Sequence, residues 1–199
     1  MFSIRVRTRM VPVLRRICLV CWAIVLISCV SVYFLYPQLF TAEQIAAFLG
    51  RFSFEIWFVY LAMSIIRGFT LLPSTPLVVA GTVLFPDQPW SVLAVSMAGI
   101  FFSSSLIYYF SEFLGFAEYF EKHKPDLDHR IRARLESPGG LIFVAAWAFF
   151  PFVPTDAVCY AAGSTRMNFL RFIAAVLAGE LVLCSIYVFL GGGVLKYFR

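Results

Sequence analysis

The stretch FFPFVPTDAV, residues 149 to 158, places two prolines and an aspartate inside an otherwise apolar segment. Proline interrupts a helix because it has no backbone N–H and its ring clashes with the preceding turn. A charged side chain at the centre of a membrane helix costs roughly 2.5 to 3.5 kcal/mol on insertion scales. Both are tolerated where the freed backbone groups and the Asp156 carboxylate face protein or a wet cavity. We therefore expect the chain to break here, at a polar site.

The composition places the rest of the chain in a membrane. Hydrophobic residues make up 61% of the 199 residues and charged residues 14%, against about a quarter in soluble proteins. The net charge of +5 equals the five arginines of residues 1–16, because the remaining basic and acidic residues cancel. A basic tail beside an apolar run indicates a cytoplasmic N-terminus. It does not indicate nucleic-acid binding, since no basic face with aromatic platforms exists elsewhere.

The first apolar run, residues 17–36, is long enough to span a bilayer and stops at Pro37. A cleaved lipoprotein-type signal ending at Cys29 is the alternative, but the chain continues as VSVYFLYP and not as a polar linker. Cys18 and Cys21 have the spacing of a redox or zinc pair. Because they lie within the apolar run, we interpret them as small hydrophobic side chains.

Beyond this span, full-length apolar segments alternate with pieces too short to cross. The predicted elements are an interfacial helix over 41–52, a hairpin over 53–85, a span over 90–114, a polar connector over 116–138, a hairpin over 140–163, a span over 168–190 and a tail over 194–199. The connector carries five lysines or arginines, which favours the cytoplasm. If the N-terminus and the connector are both cytoplasmic, an even number of crossings must separate them. The spans over 17–36 and 90–114 already make two, so the hairpin over 53–85 must enter and leave the membrane on the same side.

The same pattern of residues occurs in both halves. PSTP at residues 73–76 corresponds to PFVP at 151–154, and each is followed by two Ala-Gly pairs, at residues 80–81 and 98–99 and at residues 162–163 and 178–179. One hairpin would enter from outside and the other from the cytoplasm, each followed by a full span. Short, interrupted hydrophobic segments in corresponding halves point to a transporter site at the midplane. Chance proline kinks in ordinary spans remain the alternative.

The segments LLPSTPLVVAGTVLF, MAGIFFSSSLIYYFSEFLG and FFPFVPTDAVCYAAGSTRMNFLRFIAAVLAGELVLCSIYVFLGG resemble the DedA or VTT-domain family, also called the SNARE-associated membrane family. Within it, the chain is similar to the bacterial branch that resembles the vacuolar and Golgi members. The resemblance implies an all-α inverted repeat of two re-entrant hairpins, a VTT-like domain over 53–193 and a bacterial inner-membrane location. It departs from the family at Ala148, where many members carry arginine, and in PSTPLVVAG, which lacks the acid common in the DedA branch.

The resemblance implies that the protein moves phospholipid or polyprenyl phosphate between leaflets, as a transporter or scramblase, with protons as a coupling ion in several bacterial members. From another class, a membrane scaffold for envelope homeostasis that transports nothing is the alternative, and a proton-coupled transporter of small solutes is a third hypothesis. No cofactor is expected, and an oligomer is compatible with the sequence.

Asp156, Arg67 and Glu180 are the ionisable residues that this topology places in the membrane. We expect them to line a polar site at the hairpin tips, with Arg67 as a persistent positive charge for phosphate. Asp156 could instead pair structurally with Arg67, or cap the returning helix together with Thr155. The alternative for Arg67 is snorkelling to an interface. For Glu180 it is a buried, protonated carboxyl bonded to a neighbour.

Arg166 and Arg171 are predicted at the cytoplasmic surface, where they contact lipid phosphate or follow the positive-inside rule. The remaining candidates are structural: Pro73, Pro76, Pro151 and Pro154 as hairpin breaks, and Gly81, Gly99, Gly163 and Gly179 as helix-packing positions. Enzyme motifs are absent from the sequence. His123 and His129 lie in the charged connector and are interpreted as solvated side chains rather than metal ligands.

Overall fold

A computed structural model describes residues 2–52, 55–115, 118, 122, 125–151 and 153–190, and these residues are helical with short connections. The helices are α1 (Phe2–Leu35), α2 (Ala42–Leu49), α3 (Ile56–Arg67), α4 (Thr75–Leu84), α5 (Pro89–Phe113), α6 (Pro125–Glu136), α7 (Pro138–Phe149), α8 (Thr155–Ser164) and α9 (Phe169–Ser185). A π-helical turn, Ile186–Leu190, continues α9.

Three of the described helices are long and apolar enough to cross a membrane, at Leu14–Leu35, Pro89–Phe113 and Phe169–Leu190. The three spans expected from the sequence are therefore confirmed as candidate membrane helices. The first begins earlier than expected, because helix α1 extends back through the basic tail to Phe2. It ends before Pro37, which opens a short 3-10 turn.

A short helix, α2, follows the first span. Its N-cap is Thr41, whose Oγ1 accepts a hydrogen bond from the backbone N–H of Gln44 at 3.4 Å, and its C-cap is Gly50. Ala46 and Leu49 are buried, while Glu43 is exposed. This two-sided character fits a helix that lies with one face against the protein. Helix α2 packs on α4.

Two pairs of short helices flank the central span α5. The first helix pair is α3 and α4, of 12 and 10 residues, and the second helix pair is α7 and α8, of 12 and 10 residues. None of these helices reaches the length of about 20 residues that a membrane crossing needs. The first pair is interrupted at residues 68–74, which include Pro73, whereas Pro76, predicted as part of the break, lies in the first turn of α4. The second pair is interrupted between Phe149 and Thr155, at Pro151 and Pro154.

Glycines hold the helices at close distance in both halves. Gly99 of α5 packs against Ser64 of α3, and Gly179 of α9 packs against Ala145 of α7, so closely that a Cβ at either glycine would overlap its neighbour. Gly81 faces Tyr60, and Gly163 faces the backbone of Tyr108. In each half, a glycine of the long helix (α5 or α9) therefore contacts the first short helix of the pair that precedes it (α3 or α7). The sequence repeat showed the glycines but not these contacts.

The polar connector contains a helix that the sequence did not predict. Helix α6 starts at Pro125, and an ion pair of Arg132 with Glu136 at 3.5 Å supports its last turn. The tail 194–199, with Lys196 and Arg199, lies outside the described residues, as do His123 and Lys124 of the connector and the first two residues of the predicted hairpin over 53–85.

Candidate functional site

A buried ion pair joins the two interrupted helix pairs. Arg67, the last residue of α3, donates from Nη1 to Oδ2 of Asp156 in the first turn of α8, at 3.2 Å. The side chains are 10% and 2% exposed, respectively. The same Nη1 donates to the backbone carbonyl of Leu72 at 2.9 Å. One guanidinium therefore ties the break of the first helix pair to the returning helix of the second.

The backbone next to Arg67 is shaped for this contact. Leu71 has a φ of 56°, a left-handed conformation that is costly for a bulky side chain and is retained where the surrounding structure requires it. The hydroxyl of Thr70 donates to the carbonyl of Arg67 at 2.6 Å. The turn brings the Leu72 carbonyl back to the guanidinium, so that the break itself supplies part of the arginine's hydrogen bonding.

Glu180 of α9 lies behind the ion pair and is fully buried. Its Oε1 accepts a hydrogen bond from Thr155 Oγ1 at 2.6 Å, and Cys184 Sγ lies 3.9 Å from its Oε2. Thr155 precedes Asp156 in the chain, so the same helix start presents one side chain to Arg67 and the next to Glu180. These four predicted site residues, Arg67, Thr155, Asp156 and Glu180, form a single cluster, which we call the polar junction.

The capping interpretation of Thr155 and Asp156 is not what the structure contains. The N-cap of α8 is Pro154, which has no side-chain cap, and the Thr155 hydroxyl is used on Glu180. The structure instead contains the pairing alternative, with Asp156 on Arg67. Snorkelling of Arg67 to an interface is likewise not observed, because its side chain points inward to a carboxylate.

Two side chains bond to the carbonyls of the prolines in the second break. Thr75 Oγ1 at the start of α4 is 3.5 Å from the carbonyl oxygen of Pro151, and Trp147 Nε1 donates to the carbonyl of Pro154 at 3.2 Å. The Pro154 carbonyl also accepts a hydrogen bond from the backbone N–H of Ala157 at 3.1 Å. The contact of Thr75 with Pro151 joins the two helix pairs at their breaks, in addition to the ion pair.

A buried hydroxyl without a hydrogen-bond partner faces the junction. Ser103 of α5 is 1% exposed, and its Oγ makes no hydrogen bond within the part of the chain that the structure describes. It lies directly against Gly68, where an added Cβ would overlap it and would also come within 3.1 Å of Asp156 Oδ1. A glycine after Arg67 is thus required for α3 to approach both α5 and Asp156.

Sequence reasoning missed the contribution of α1. Trp22 donates from Nε1 to the hydroxyl of Tyr160 at 2.9 Å and lies 3.3 Å from the carbonyl oxygen of Phe69. Its ring also packs on Phe110. The first span therefore contacts the first break through Phe69 and helix α8 of the second pair through Tyr160. A lone tryptophan in the middle of an aliphatic span was the available signal.

The other predicted polar residues lie away from the junction. Arg166, after α8, forms an ion pair with Glu112 at 3.5 Å, with both side chains 43% exposed. Arg171 is exposed in the first turn of α9, where its backbone N–H is capped by Asn168. His129 is exposed on α6. Among the described residues, no three side chains of His, Cys, Asp or Glu converge as a metal site would require.

The comparisons decide the family. A family model described as the VTT domain matches residues 72–192. The chain belongs to the DedA/VTT family. Curated proteins and solved structures gave no match to it. VTT proteins are membrane proteins related to transport, and the family as a whole is transporter-like and not enzymatic.

The VTT match and the polar junction overlap incompletely. Asp156 and Glu180 lie inside the matched residues, whereas Arg67 precedes them by five positions. Ala148 stands where many VTT members are expected to carry an arginine, and it is completely buried and packs against Gly179. In this VTT protein the positive charge that faces Asp156 therefore comes from Arg67 of the first helix pair and not from α7, the helix that precedes Asp156 in the chain.

Proposed function

We propose that this VTT-family protein moves phospholipid or polyprenyl-phosphate lipid between the leaflets of a membrane, with the polar junction as the point through which the headgroup passes. The observation that carries the proposal is the ion pair of Arg67 with Asp156, which bridges the two helix breaks. A charge pair within an apolar helical domain is expensive to bury, and ionisable residues inside membrane segments mark pathways of substrates or ions.

The chemistry of the junction suits a lipid headgroup. Arginine keeps its charge and presents a planar fork that binds phosphate oxygens bidentately. A phosphate that replaces Asp156 at this fork would be held while the hydrocarbon chains remain between apolar helices. The same exchange would release Asp156 from its partner, so binding and opening of the junction are coupled.

We further propose that the two helix pairs are re-entrant hairpins in an inverted repeat, within a domain over 53–193. Their short helices, the meeting of their breaks and the matching glycine contacts of Gly99 and Gly179 support this arrangement. In it the N-terminus and the connector are cytoplasmic, and the membrane is the inner membrane of a bacterium. The five arginines of residues 1–16 support that orientation.

Cysteine accessibility tests the arrangement. The five native cysteines are first replaced, and single cysteines are then introduced at Gln88 and at Asn168. Both positions are exposed at the start of a long helix. We expect an impermeant thiol reagent added to whole cells to label the first and not the second. Labelling of both from the same side would refute the inverted arrangement.

Reconstitution tests the activity. Purified protein in liposomes should speed the exchange of a fluorescent phospholipid, or of a polyprenyl phosphate, between leaflets relative to protein-free liposomes. Comparing the two lipids identifies the preferred headgroup. If folded protein exchanges neither lipid, the proposal fails, and the scaffold and solute-transport hypotheses take its place.

A further inference from the structure

A second feature lies beside the polar junction and mostly outside the VTT match. A partly open cavity of about 470 Å³ is lined by the end of α1, the 3-10 turn that follows it, α2, α3, the first break and the start of α4. Aromatic and aliphatic side chains form most of its wall, including Tyr33, Phe40 and Phe48. The volume falls in the range of about 300 to 1,000 Å³ that is typical of sites for small ligands.

The charged groups on the cavity wall are all positive. Arg51 and Arg67 line it, and no aspartate or glutamate among the described residues does. Arg51 is exposed and makes no ion pair within the described ranges. An apolar cavity with two guanidinium groups and no acid on its wall is complementary to a hydrocarbon chain that carries an anionic group.

Arg67 has unused hydrogen-bonding capacity toward this cavity. Its bonds to Asp156 and to the Leu72 carbonyl both start from Nη1. Within the described part of the chain, its Nε and Nη2 have no hydrogen bond, and neither is among the fully buried atoms that lack a partner. The Nε and Nη2 edge of a guanidinium is a planar fork that matches two oxygens of a phosphate. The side chain can therefore hold Asp156 and a phosphate at once.

The volume of the cavity matches that of a single lipid chain. Water occupies about 30 Å³ in the liquid, so the cavity corresponds to some 16 such volumes, and a methylene unit is of similar size. That is room for one fatty-acyl chain. In a bound phospholipid one acyl chain would occupy the cavity, and the second would stay in the bilayer.

We propose that this cavity is a binding site for an anionic glycerophospholipid, with one acyl chain beneath α2 and the phosphate between Arg51 and Arg67. The site is distinct from the polar junction and adjoins it through Arg67. The binding site itself does not depend on the proposed function. Only the role of the bound lipid does: it would be held beside the junction before translocation. Helix α2 is then the wall that retains the chain.

Photolabelling tests this site without relying on transport. The purified full-length protein is incubated with phosphatidylglycerol or phosphatidylcholine that carries a diazirine in one acyl chain, illuminated, digested and sequenced. We expect label on residues of α2, α3 and the first break, several-fold more from the anionic lipid. Ala47, which lines the cavity from the exposed side of α2, is changed to Trp to fill it, and Ala42→Trp on the same helix but outside the cavity is the matched control.

The expected result is a several-fold loss of this label in Ala47→Trp, retention in Ala42→Trp, and a smaller preference for phosphatidylglycerol in Arg51→Gln. Unchanged melting temperatures establish that the variants are folded. Label that is equal in Ala47→Trp and wild type, or that shows no preference between the two headgroups, would overturn the site. If labelling behaves as expected but wild-type protein exchanges no lipid in liposomes, the proposed function fails and the binding site stands.

Discussion

Arg67 and Asp156 are 89 positions apart in the sequence and form a buried ion pair at 3.2 Å, each from a helix end that borders a different break. Among the described residues, it is the ion pair that joins the first helix pair to the second. Burying a charge pair gains little by itself, but removing one partner leaves the other charge unpaired in a medium of low dielectric constant. The two residues should therefore behave as a unit when they are changed.

The single variants Arg67→Gln and Asp156→Asn should each lose stability, by about 3 to 5 kcal/mol, because each leaves an uncompensated buried charge. The double variant should recover much of this loss, since neither charge remains. Thermal unfolding in detergent, followed by tryptophan fluorescence, measures the difference. Losses that simply add in the double variant would mean that the two side chains do not interact.

The hydrogen bond between Thr155 and Glu180 gives a second prediction. Thr155→Val keeps the shape of the side chain but removes the hydroxyl that donates to Glu180 Oε1 at 2.6 Å. A buried carboxyl that loses such a partner costs about 1 to 3 kcal/mol. Thr155→Ser retains the hydroxyl and should stay closer to wild type in the same unfolding measurement. Equal melting temperatures for the valine and serine variants would contradict the bond.

Close packing at Gly179 gives a third prediction. In Gly179→Ala the new methyl group would overlap the backbone carbonyl of Ala145, and backbone cannot move aside as a flexible side chain can. Overpacking of this kind costs about 1 to 3 kcal/mol. Gly139→Ala on α7 is the matched control, because the nearest atom to its added Cβ is Ser137 Oγ at 4.0 Å. The control should melt at the wild-type temperature or slightly above it, and a comparable loss in both variants would refute the packing argument.

Acid pH should loosen the basic end of α1. Arg15 donates to both carboxylate oxygens of Glu118, at 2.7 and 3.2 Å, and this hydrogen bond holds the pKa of Glu118 below its ordinary value of about 4.3. A lowered pKa in the folded state means that the contribution is present above the ordinary pKa and is lost as the pH falls through the folded value. Wild type should therefore melt slightly above Glu118→Gln near pH 7. The difference should shrink as the pH falls below the ordinary pKa and vanish below the lowered, folded-state pKa, and a gap that does not shrink on acidification would contradict the assignment.

The long apolar helices could be predicted from the sequence because length and composition alone determine them. The spans expected over 90–114 and 168–190 correspond to Pro89–Phe113 and Phe169–Leu190. Helix α6 was missed because its sequence is mostly charged and has too few apolar residues to form a periodic pattern. The ion pair of Arg132 with Glu136 was found only in the structure.

The polar junction could be predicted in its members but not in its geometry. Charge inside an apolar segment singles out Arg67, Asp156 and Glu180 from one sequence. Which of them pair depends on how two helix pairs pack, and that is why the choice between a pair and a cap for Asp156 stayed open. Trp22 has no motif, and the cavity beneath α2 is formed by elements that come together only in the fold, so neither could be read from the sequence.

The most direct test of the account is leaflet exchange by the double variant Arg67→Gln with Asp156→Asn, which should fold. Phospholipid with a fluorescent headgroup is incorporated into liposomes with wild type, the double variant, or Arg130→Gln with Asp126→Asn as a matched neutralisation on the exposed face of α6. A membrane-impermeant quencher then reports how fast inner-leaflet lipid reaches the outer leaflet. We predict rapid exchange by wild type and the α6 variant, and exchange at the protein-free rate by the double variant. Exchange at the wild-type rate by the folded double variant would contradict the claim that lipid passes through the polar junction.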